Sequence, residues 1–279
     1  MLEPCFGFVQ GRLVPSPPGE LQWFPQQDWE SEFFIAGALG IDYIELIAER
    51  NNNPQNPIWS NVGVARLKEL AAVNGMRLHA FCNDYVIDHR LPGDAAVLRQ
   101  NLDLIACGRM LGCTKFILPL FEKSELTAAN ASEFAAPLRT IADAAKDAGM
   151  TVCLETILTG DELISLLDDL THPAIAAVYD TGNRVAFGHD LPADIRKLGS
   201  RIAHVHIKDK DAANANVLLG TGLVNFKAVF EALADIGYDG PYTFETQRGR
   251  NPTRTARYNM ELASYFRIEA ADARSRAEG

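Results

Sequence analysis

Four short apolar runs in the second half of the chain end in side chains that can bind a metal ion. They close with three carboxylates and a histidine, in the segments Leu154-Glu155-Thr156, Tyr179-Asp180-Thr181, His204-Val205-His206 and Phe244-Glu245-Thr246. Taken singly, a carboxylate at a strand end is usually a salt-bridge partner or helix cap, and a histidine in an apolar run is usually a core residue. Four of them on successive strands favour a site for one divalent ion. This oxygen-rich set suits Mn²⁺ in preference, with Mg²⁺, Co²⁺ or Zn²⁺ as alternatives.

The seventh run offers two histidines, and its periodicity separates their roles. His204 and His206 share one face of a strand because side chains alternate with a period of two. His206 is the nearer of the two to the end of the strand. We therefore expect His206 to bind the metal ion and His204 to lie one layer deeper, as a structural residue or as a support for the ligands.

The elements that must position these side chains are short apolar runs alternating with amphipathic segments. The pattern predicts strands over residues 5–9, 41–47, 76–82, 115–118, 151–154, 175–179, 202–207 and 242–244. It predicts helices over residues 28–39, 62–73, 95–111, 128–148, 161–170, 193–198, 226–236 and 253–266. Such alternation indicates a parallel sheet, and eight units favour a single (β/α)8 TIM barrel, an α/β fold whose active site lies at the C-terminal strand ends. The alternative is a doubly wound sheet, but no Gly-x-Gly-x-x-Gly follows the first strand.

Composition and charge restrict the partners. The 279 residues are expected to form one domain, 1–279, with a polar tail from about residue 269 that frays. Lys and Arg number 26 against 36 Asp and Glu, a net charge of −10. A chain with this net charge is a poor candidate for binding nucleic acid or anionic membranes. The net charge does not exclude a local basic pocket for a small phosphate.

Cysteine usage and the N-terminus bear on localisation. The five cysteines are odd in number and include no Cys-x-x-Cys pair, which favours a reducing, cytoplasmic setting. The N-terminus has no basic region followed by an apolar one, so we expect no signal peptide. No apolar run approaches the 18 or so residues of a membrane helix.

The chain resembles the xylose-isomerase-like TIM-barrel superfamily of sugar and sugar-phosphate isomerases and epimerases. The resemblance spans most of the chain and is carried by the segments 152–156, 179–183, 204–209, 220–226 and 237–245. It implies that a single divalent ion is held by Glu155, Asp180, His206 and Glu245. It also implies that Glu155 and Glu245 are catalytic and exchange a proton on the substrate carbon.

The implied reaction is isomerisation or epimerisation of a ketose or ketose phosphate through an enediolate. A proton next to a carbonyl is weakly acidic, so a Lewis acid must stabilise the enediolate while a carboxylate takes the proton. One base gives isomerisation, and two bases on opposite faces give epimerisation. The expected partner is a small sugar or sugar phosphate, and a homo-oligomer is left open.

Two departures from the superfamily pattern bear on the substrate. Relatives that act on free ketoses often carry a His where this chain has Asn183, and an Arg where it has Lys208-Asp209. The pattern is more similar to the pentulose- and hexulose-phosphate branch, which favours a phosphorylated sugar. Asn183 is then a candidate substrate-binding residue. Lys208 either binds a substrate oxygen or phosphate, or forms an ion pair with Asp209.

Further candidate substrate-binding residues come from other strand ends. Arg12 after the first strand can hold a phosphate or carboxylate through two hydrogen bonds, and Arg248 follows the last strand, a common phosphate position in barrels. Glu45 and His79 are candidates to line the pocket, His79 by contacting a sugar hydroxyl. The Pro- and Trp-containing residues 14–25, and Trp59 with the Asn-rich residues before it, are candidate lids.

Three other functions remain open for such a barrel: an inosose dehydratase-like lyase, an AP endonuclease-like hydrolase and a non-enzymatic sugar-binding protein. A nuclease of this superfamily is expected to use extra His and Glu ligands, whereas the chain has only 6 histidines and is acidic. Metal content and proton exchange into a sugar separate the rest.

Overall fold

The predicted strand–helix units close into a barrel. In the computed structural model, which describes residues 5–278, eight parallel strands are hydrogen-bonded in chain order and the last pairs with the first. The strands are β1 Phe6–Val9, β2 Tyr43–Ala48, β3 Ala80–Asn83, β4 Lys115–Pro119, β5 Thr151–Glu155, β6 Ile175–Asp180, β7 Ile202–Ile207 and β8 Tyr242–Phe244. The predicted (β/α)8 barrel is therefore confirmed. The expectation about a signal peptide rests on N-terminal residues that lie outside the described range.

The helices surround the barrel. They are α1 Trp29–Leu39, α2 Asn61–Val73, α3 Tyr85–Asp88, α4 Ala95–Leu111, α5 Ala131–Asp147, α6 Gly160–Leu170, α7 Thr181–Ala186, α8 Leu191–Leu198, α9 Phe226–Asp235 and α10 Pro252–Glu278. None of the helices within residues 5–278 combines the length and apolar content that a membrane crossing requires.

Two boundaries differ from the sequence pattern by about four residues or more. β3 begins at Ala80 and not at residue 76, because Arg77 forms only an isolated bridge with Tyr43 of β2. The last helix continues to Glu278, past residue 266 where its apolar pattern was expected to stop. The residues from about 269 that were expected to fray are thus part of α10 in this structure.

Alternation along the strands separates an outer core from the barrel interior. Outward-facing residues pack against the helices, and a smaller cluster fills the interior, including Tyr43, Ile47, Cys153 and Val178. Gly7 makes room for this interior, because a Cβ at that position would lie 2.2 Å from the Tyr43 ring. The same alternation turns polar side chains at the C-terminal strand ends inward.

Candidate active site

The four predicted metal ligands converge at the C-terminal end of the barrel. Glu155 and Asp180 are the last residues of β5 and β6, His206 lies near the end of β7, and Glu245 directly follows β8. Asp180 and His206 are direct partners in the strand register. One ligand atom from each of the four residues lies within 4.8 Å of all the others, in a buried to half-buried setting. The geometry therefore brings together one nitrogen and three carboxylates, a set that can hold a divalent ion.

The orientation of His206 is fixed from below by Glu45. The Nε2 atom of His206 lies 3.0 Å from Glu45 Oε1. Its Nδ1 atom consequently faces the carboxylates, 3.4 Å from Glu245 Oε2 and 3.9 Å from both Glu155 Oε2 and Asp180 Oδ2. A metal-binding histidine normally has its second ring nitrogen held by such a carboxylate or carbonyl.

Two buried atoms in this cluster support its fit to a cation. Asp180 Oδ2 and His206 Nδ1 are shielded from solvent and make no hydrogen bond among the described residues. Their nearest charged neighbours are Lys208 Nζ, 3.3 Å from Asp180 Oδ2, and Glu245 Oε2, 3.4 Å from His206 Nδ1. Buried polar atoms rarely lack a hydrogen bond. Both are good donors of a lone pair, so the residues present fit a divalent ion.

A second group of possible ligands, Glu45, His204 and His206, lies deeper in the barrel. Here the Glu45 carboxylate is already engaged by both histidines, with His204 Nε2 at 2.7 Å from Oε2. His204 Nε2 also lies 2.8 Å from Thr243 Oγ1. Burial raises the pKa of Glu45, but the two neighbouring histidines outweigh it and lower that pKa below its usual range. This group is thus a hydrogen-bonded support for the ligands above it, as expected for His204.

Lys208 places a buried ammonium group beside the carboxylates. Its Nζ lies 2.7 Å from Glu245 Oε2 and 3.3 Å from both Asp180 Oδ2 and Asn183 Oδ1. Burial lowers the pKa of Lys208, but the carboxylates of Asp180 and Glu245 more than compensate and raise it. Asp209 instead accepts backbone N–H groups of the following segment, so the alternative of a Lys208–Asp209 ion pair is not observed.

The two glutamates have opposite electrostatic surroundings. Glu155 Oε1 accepts a hydrogen bond of 3.0 Å from the neutral Asn183 side chain. Burial, together with the nearby Glu245 and Asp180 carboxylates, raises the pKa of Glu155 to about 8. Burial also acts on Glu245, but the charges of Lys208, His206 and Arg12 hold its pKa well below the usual range. One carboxylate therefore binds a proton readily and the other does not.

A cavity of about 530 Å³ opens above the cluster. We call it the inner cavity. Glu155, His206, Glu245 and Asn183 form its floor, and Gln22, Asp84, Phe121, Phe187 and Lys210 line its walls. Cavities of about 300–1,000 Å³ are typical of small-molecule sites.

Several predicted substrate-binding residues lie outside this cavity. His79 precedes β3 at the opposite end of the barrel, beside Thr114, so it is not placed to contact a substrate. Arg248 binds the backbone carbonyls of Gly11 and Glu20. Both side chains serve the protein's own structure here.

Arg12 and Glu45 reach the site indirectly. Arg12 is buried, and its Nη2 lies 2.8 Å from Gln22 Oε1 and 3.4 Å from Glu245 Oε1. It therefore contacts the candidate metal ligand Glu245 and does not line the cavity. Glu45 borders the cavity floor, but both of its oxygens are held by the histidines.

Sequence reasoning missed two features of the site. Gln22 bridges Arg12 and Asp84, donating 2.9 Å to Asp84 Oδ2 from within an irregular loop, and no local pattern marks it. The short helix α7 starts directly after Asp180, whose Oδ1 accepts from the Asn183 amide at 2.5 Å. Asp is a preferred residue at the N-cap of a helix, so Asp180 at the end of β6 was a sequence signal for the start of α7.

Comparisons with known proteins agree with this geometry. Residues 33–266 match the family model described as xylose isomerase-like TIM barrel. The chain is 26% identical over 234 residues to L-ribulose-5-phosphate 3-epimerase UlaE of Shigella flexneri serotype 5b, covering 78% of this chain and 81% of that protein. It is 29% identical over 163 residues to ketose 3-epimerase of Arthrobacter globiformis, covering 54% of each, so the match spans about half the length of that relative. Among solved structures, an L-ribulose 3-epimerase superposes with a TM-score of 0.78 at 20% identity, over 99% of both chains.

Proposed function

Because this chain belongs to the xylose isomerase-like TIM barrel family, we propose that it is a divalent-metal-dependent isomerase or epimerase of a ketose or ketose phosphate. The observation that carries the proposal is the group of Glu155, Asp180, His206 and Glu245, three of which line the inner cavity, with two buried atoms that make no hydrogen bond. The similarity to proteins named as ketose and ribulose-phosphate 3-epimerases supports the same reaction class.

The proposed ion site consists of the four residues, with Glu45 orienting His206. When bound there, Mn²⁺ or a similar cation supplies Lewis-acid stabilisation of negative charge on a substrate oxygen. Lys208 and Asn183 hold Glu245 and Glu155 in place, since each makes a direct contact to one of the two carboxylates.

Glu155 and Glu245 are the proposed proton-transfer groups. They come from β5 and from the end of β8, and both border the cavity, so they approach a bound sugar from different sides. A carboxylate within hydrogen-bond reach of a carbon next to a carbonyl can take its proton, and a second one on the other face can return it.

The test is solvent deuterium incorporation into a panel of ketoses and ketose phosphates with the Mn²⁺-loaded protein. We expect deuterium at the carbon next to the carbonyl. Glu155→Gln and Glu245→Gln should each lower turnover about 10²–10⁴-fold with a much smaller effect on substrate binding. Turnover without exchange and with loss of water or phosphate would identify a lyase or hydrolase and overturn the proposal.

A further inference from the structure

A second cavity lies next to the inner cavity, between the loops that follow β1 and β2. It has a volume of about 520 Å³, and we call it the outer cavity. Gln22, Arg50 and Asp84 line both cavities, so the two cavities adjoin at these side chains. The outer cavity is therefore next to the place where the proposed reaction occurs, but none of the four candidate metal ligands lines it.

The loops around the outer cavity are held in place by side-chain contacts. Gln22 is fixed on both sides, by Arg12 and by Asp84. Gln26 is hydrogen-bonded to Gln55, which joins the two loops. Because these contacts pin the walls of the cavity, a ligand would meet a largely preformed space.

The loop that follows β2 is also held in place by the carboxylate of Glu49, which lies within it. Glu49 accepts hydrogen bonds of 2.7 Å from both Asn53 and Asn56, and Asn56 also donates to the Ile47 carbonyl. The exposed Asn51 and Asn52 side chains are left at the cavity wall.

The lining of the outer cavity suits a neutral polyhydroxylated group. The amides of Asn51 and Asn52 and the carboxylates of Glu20 and Glu49 offer both donors and acceptors to hydroxyl groups. The indole of Trp23 adds an apolar face with a polar edge. A few placed polar groups with aromatic surface are the usual composition of a small-molecule site.

The charges in the outer cavity disfavour a phosphate. Among the described residues, its one Lys or Arg side chain is Arg50, which is engaged by Glu122 at 2.8 Å and by Asp88 at 3.3 Å. The carboxylates of Glu20, Glu49 and Asp84 line the same cavity. A phosphate dianion there would meet more like charge than opposite charge.

We propose that the outer cavity is a subsite for a neutral glycosyl unit, so that the preferred substrate is a keto sugar carrying a glycosyl substituent. This inference rests on the proposed function, because it assigns the keto sugar to the inner cavity and its substituent to the outer one. The Gln22–Asp84 pair lies between the two, where its amide and carboxylate meet the hydroxyls beside the glycosidic link.

The experiment compares four ketoses as substrates for deuterium exchange: D-fructose, D-fructose 6-phosphate, isomaltulose and lactulose. The last two are fructose with a glucosyl or galactosyl substituent. We expect kcat/KM for at least one glycosyl ketose to exceed both fructose and its phosphate by about tenfold or more. A preference for fructose or for its phosphate would overturn the subsite.

A cavity-filling variant tests the location. Asn52→Trp should lower kcat/KM for the preferred glycosyl ketose about tenfold more than for fructose, with Asn51→Trp as a second variant of the same wall. Asn61→Trp, an equally exposed position at the start of α2 and outside both cavities, is the matched control. Equal effects of Asn52→Trp and Asn61→Trp on the substrate ratio would contradict the proposal.

Calorimetric binding separates this inference from the proposed function. Isomaltulose binding that Asn52→Trp weakens, without exchange into any sugar, would retain the subsite and reject the isomerase. Exchange into fructose without any glycosyl preference would retain the isomerase and reject the subsite.

Discussion

At the residue scale, the orientation of one histidine ring determines what the centre can bind. Glu45 occupies the Nε2 side of His206, so only Nδ1 is left to face the three carboxylates. The carboxylate that supports a histidine in this way also raises its strength as a ligand. Glu45 thus acts on the site through His206, although the sequence alone suggested a residue that lines the pocket.

Replacing this histidine tests the ligand set. We expect His206→Ala to lose stoichiometric metal, because the variant removes the one nitrogen ligand and leaves Glu45 Oε1 without its partner. The measurement is metal per chain by mass spectrometry after dialysis against Mn²⁺. His172→Ala is the matched control, since His172 pairs with Asp143 outside the site. Full metal content in His206→Ala would place the ion elsewhere.

Metal binding should release protons at neutral pH. The metal-free protein holds a proton on Glu155, whose pKa is about 8, and the pKa of His206 is also raised because burial is outweighed by Glu45 and the other carboxylates. Both groups must lose their protons to act as ligands. Glu155 therefore releases a proton on metal binding below about pH 8 but not above it. Its share of the pH dependence is a rise in the apparent Mn²⁺ affinity with pH up to that value.

Calorimetry in buffers of different ionisation enthalpy measures this release. At pH 7 we expect one to two protons per Mn²⁺, and about one fewer for Glu155→Gln, whose side chain carries no titrating proton. Binding at pH 7 without proton release would show that the carboxylates are already ionised in the metal-free protein.

At the element scale, the segment between β7 and α9 is organised by one carboxylate. Asp209 is buried and accepts from the amides of Gly220 and Gly222 through Oδ2 and from Val224 through Oδ1. The segment that it closes carries Lys210, which lines the inner cavity. Neighbouring residues after the strand thus divide their roles, since Lys208 contacts the ligands and Asp209 fixes the loop.

Asp209→Asn should destabilise the protein. The amide group would replace Oδ2 and face two backbone donors, so we expect a loss of about 2–4 kcal/mol in the free energy of unfolding. Asp211→Asn is the matched control in the same segment, because the half-buried Asp211 accepts from the amides of Ala213 and Ala215 through Oδ1. Its expected change is within about 0.5 kcal/mol. Equal urea midpoints for the two variants would contradict this role of Asp209.

The same scale shows what local sequence could predict. The bounds of β7, β8 and α4 agree with the apolar patterns, and the four ligands follow from the polar residues that end the runs. Successive side chains of an extended segment point to opposite sides, so the absence of an ion pair between Lys208 and Asp209 agrees with their being neighbours in the chain. The Gln22–Asp84 contact was not, because it joins two irregular segments 62 residues apart.

At the scale of the whole molecule, closure of the barrel decides which residues meet. The contacts of Glu45 with His204 and His206 join residues about 160 positions apart and need β1 to pair with both β2 and β8. A pattern read along the chain identifies strands but not the register between them. The four predicted ligands lie together because they share one end of the barrel, whereas the contacts beneath them depend on register.

The centre joins the second half of the barrel, so metal binding should stabilise the fold as a whole. The four candidate ligands come from successive strands, β5 to β8, and place three carboxylates close together. A ligand at about 100 times its Kd adds about 2.7 kcal/mol to the stability of the folded state. For a chain of this size that corresponds to a rise in Tm of roughly 5 °C.

Thermal unfolding with Mn²⁺ and with excess chelator measures this difference. We expect the chelator to lower Tm in the wild-type chain. It should have little effect on His206→Ala, because that variant binds no metal at this site for the chelator to remove. Because the comparison is made within each variant, the cost of the substitution itself cancels. The same chelator effect in both proteins would mean that the ion stabilises the fold from another site, and the assignment of these four residues would then be wrong.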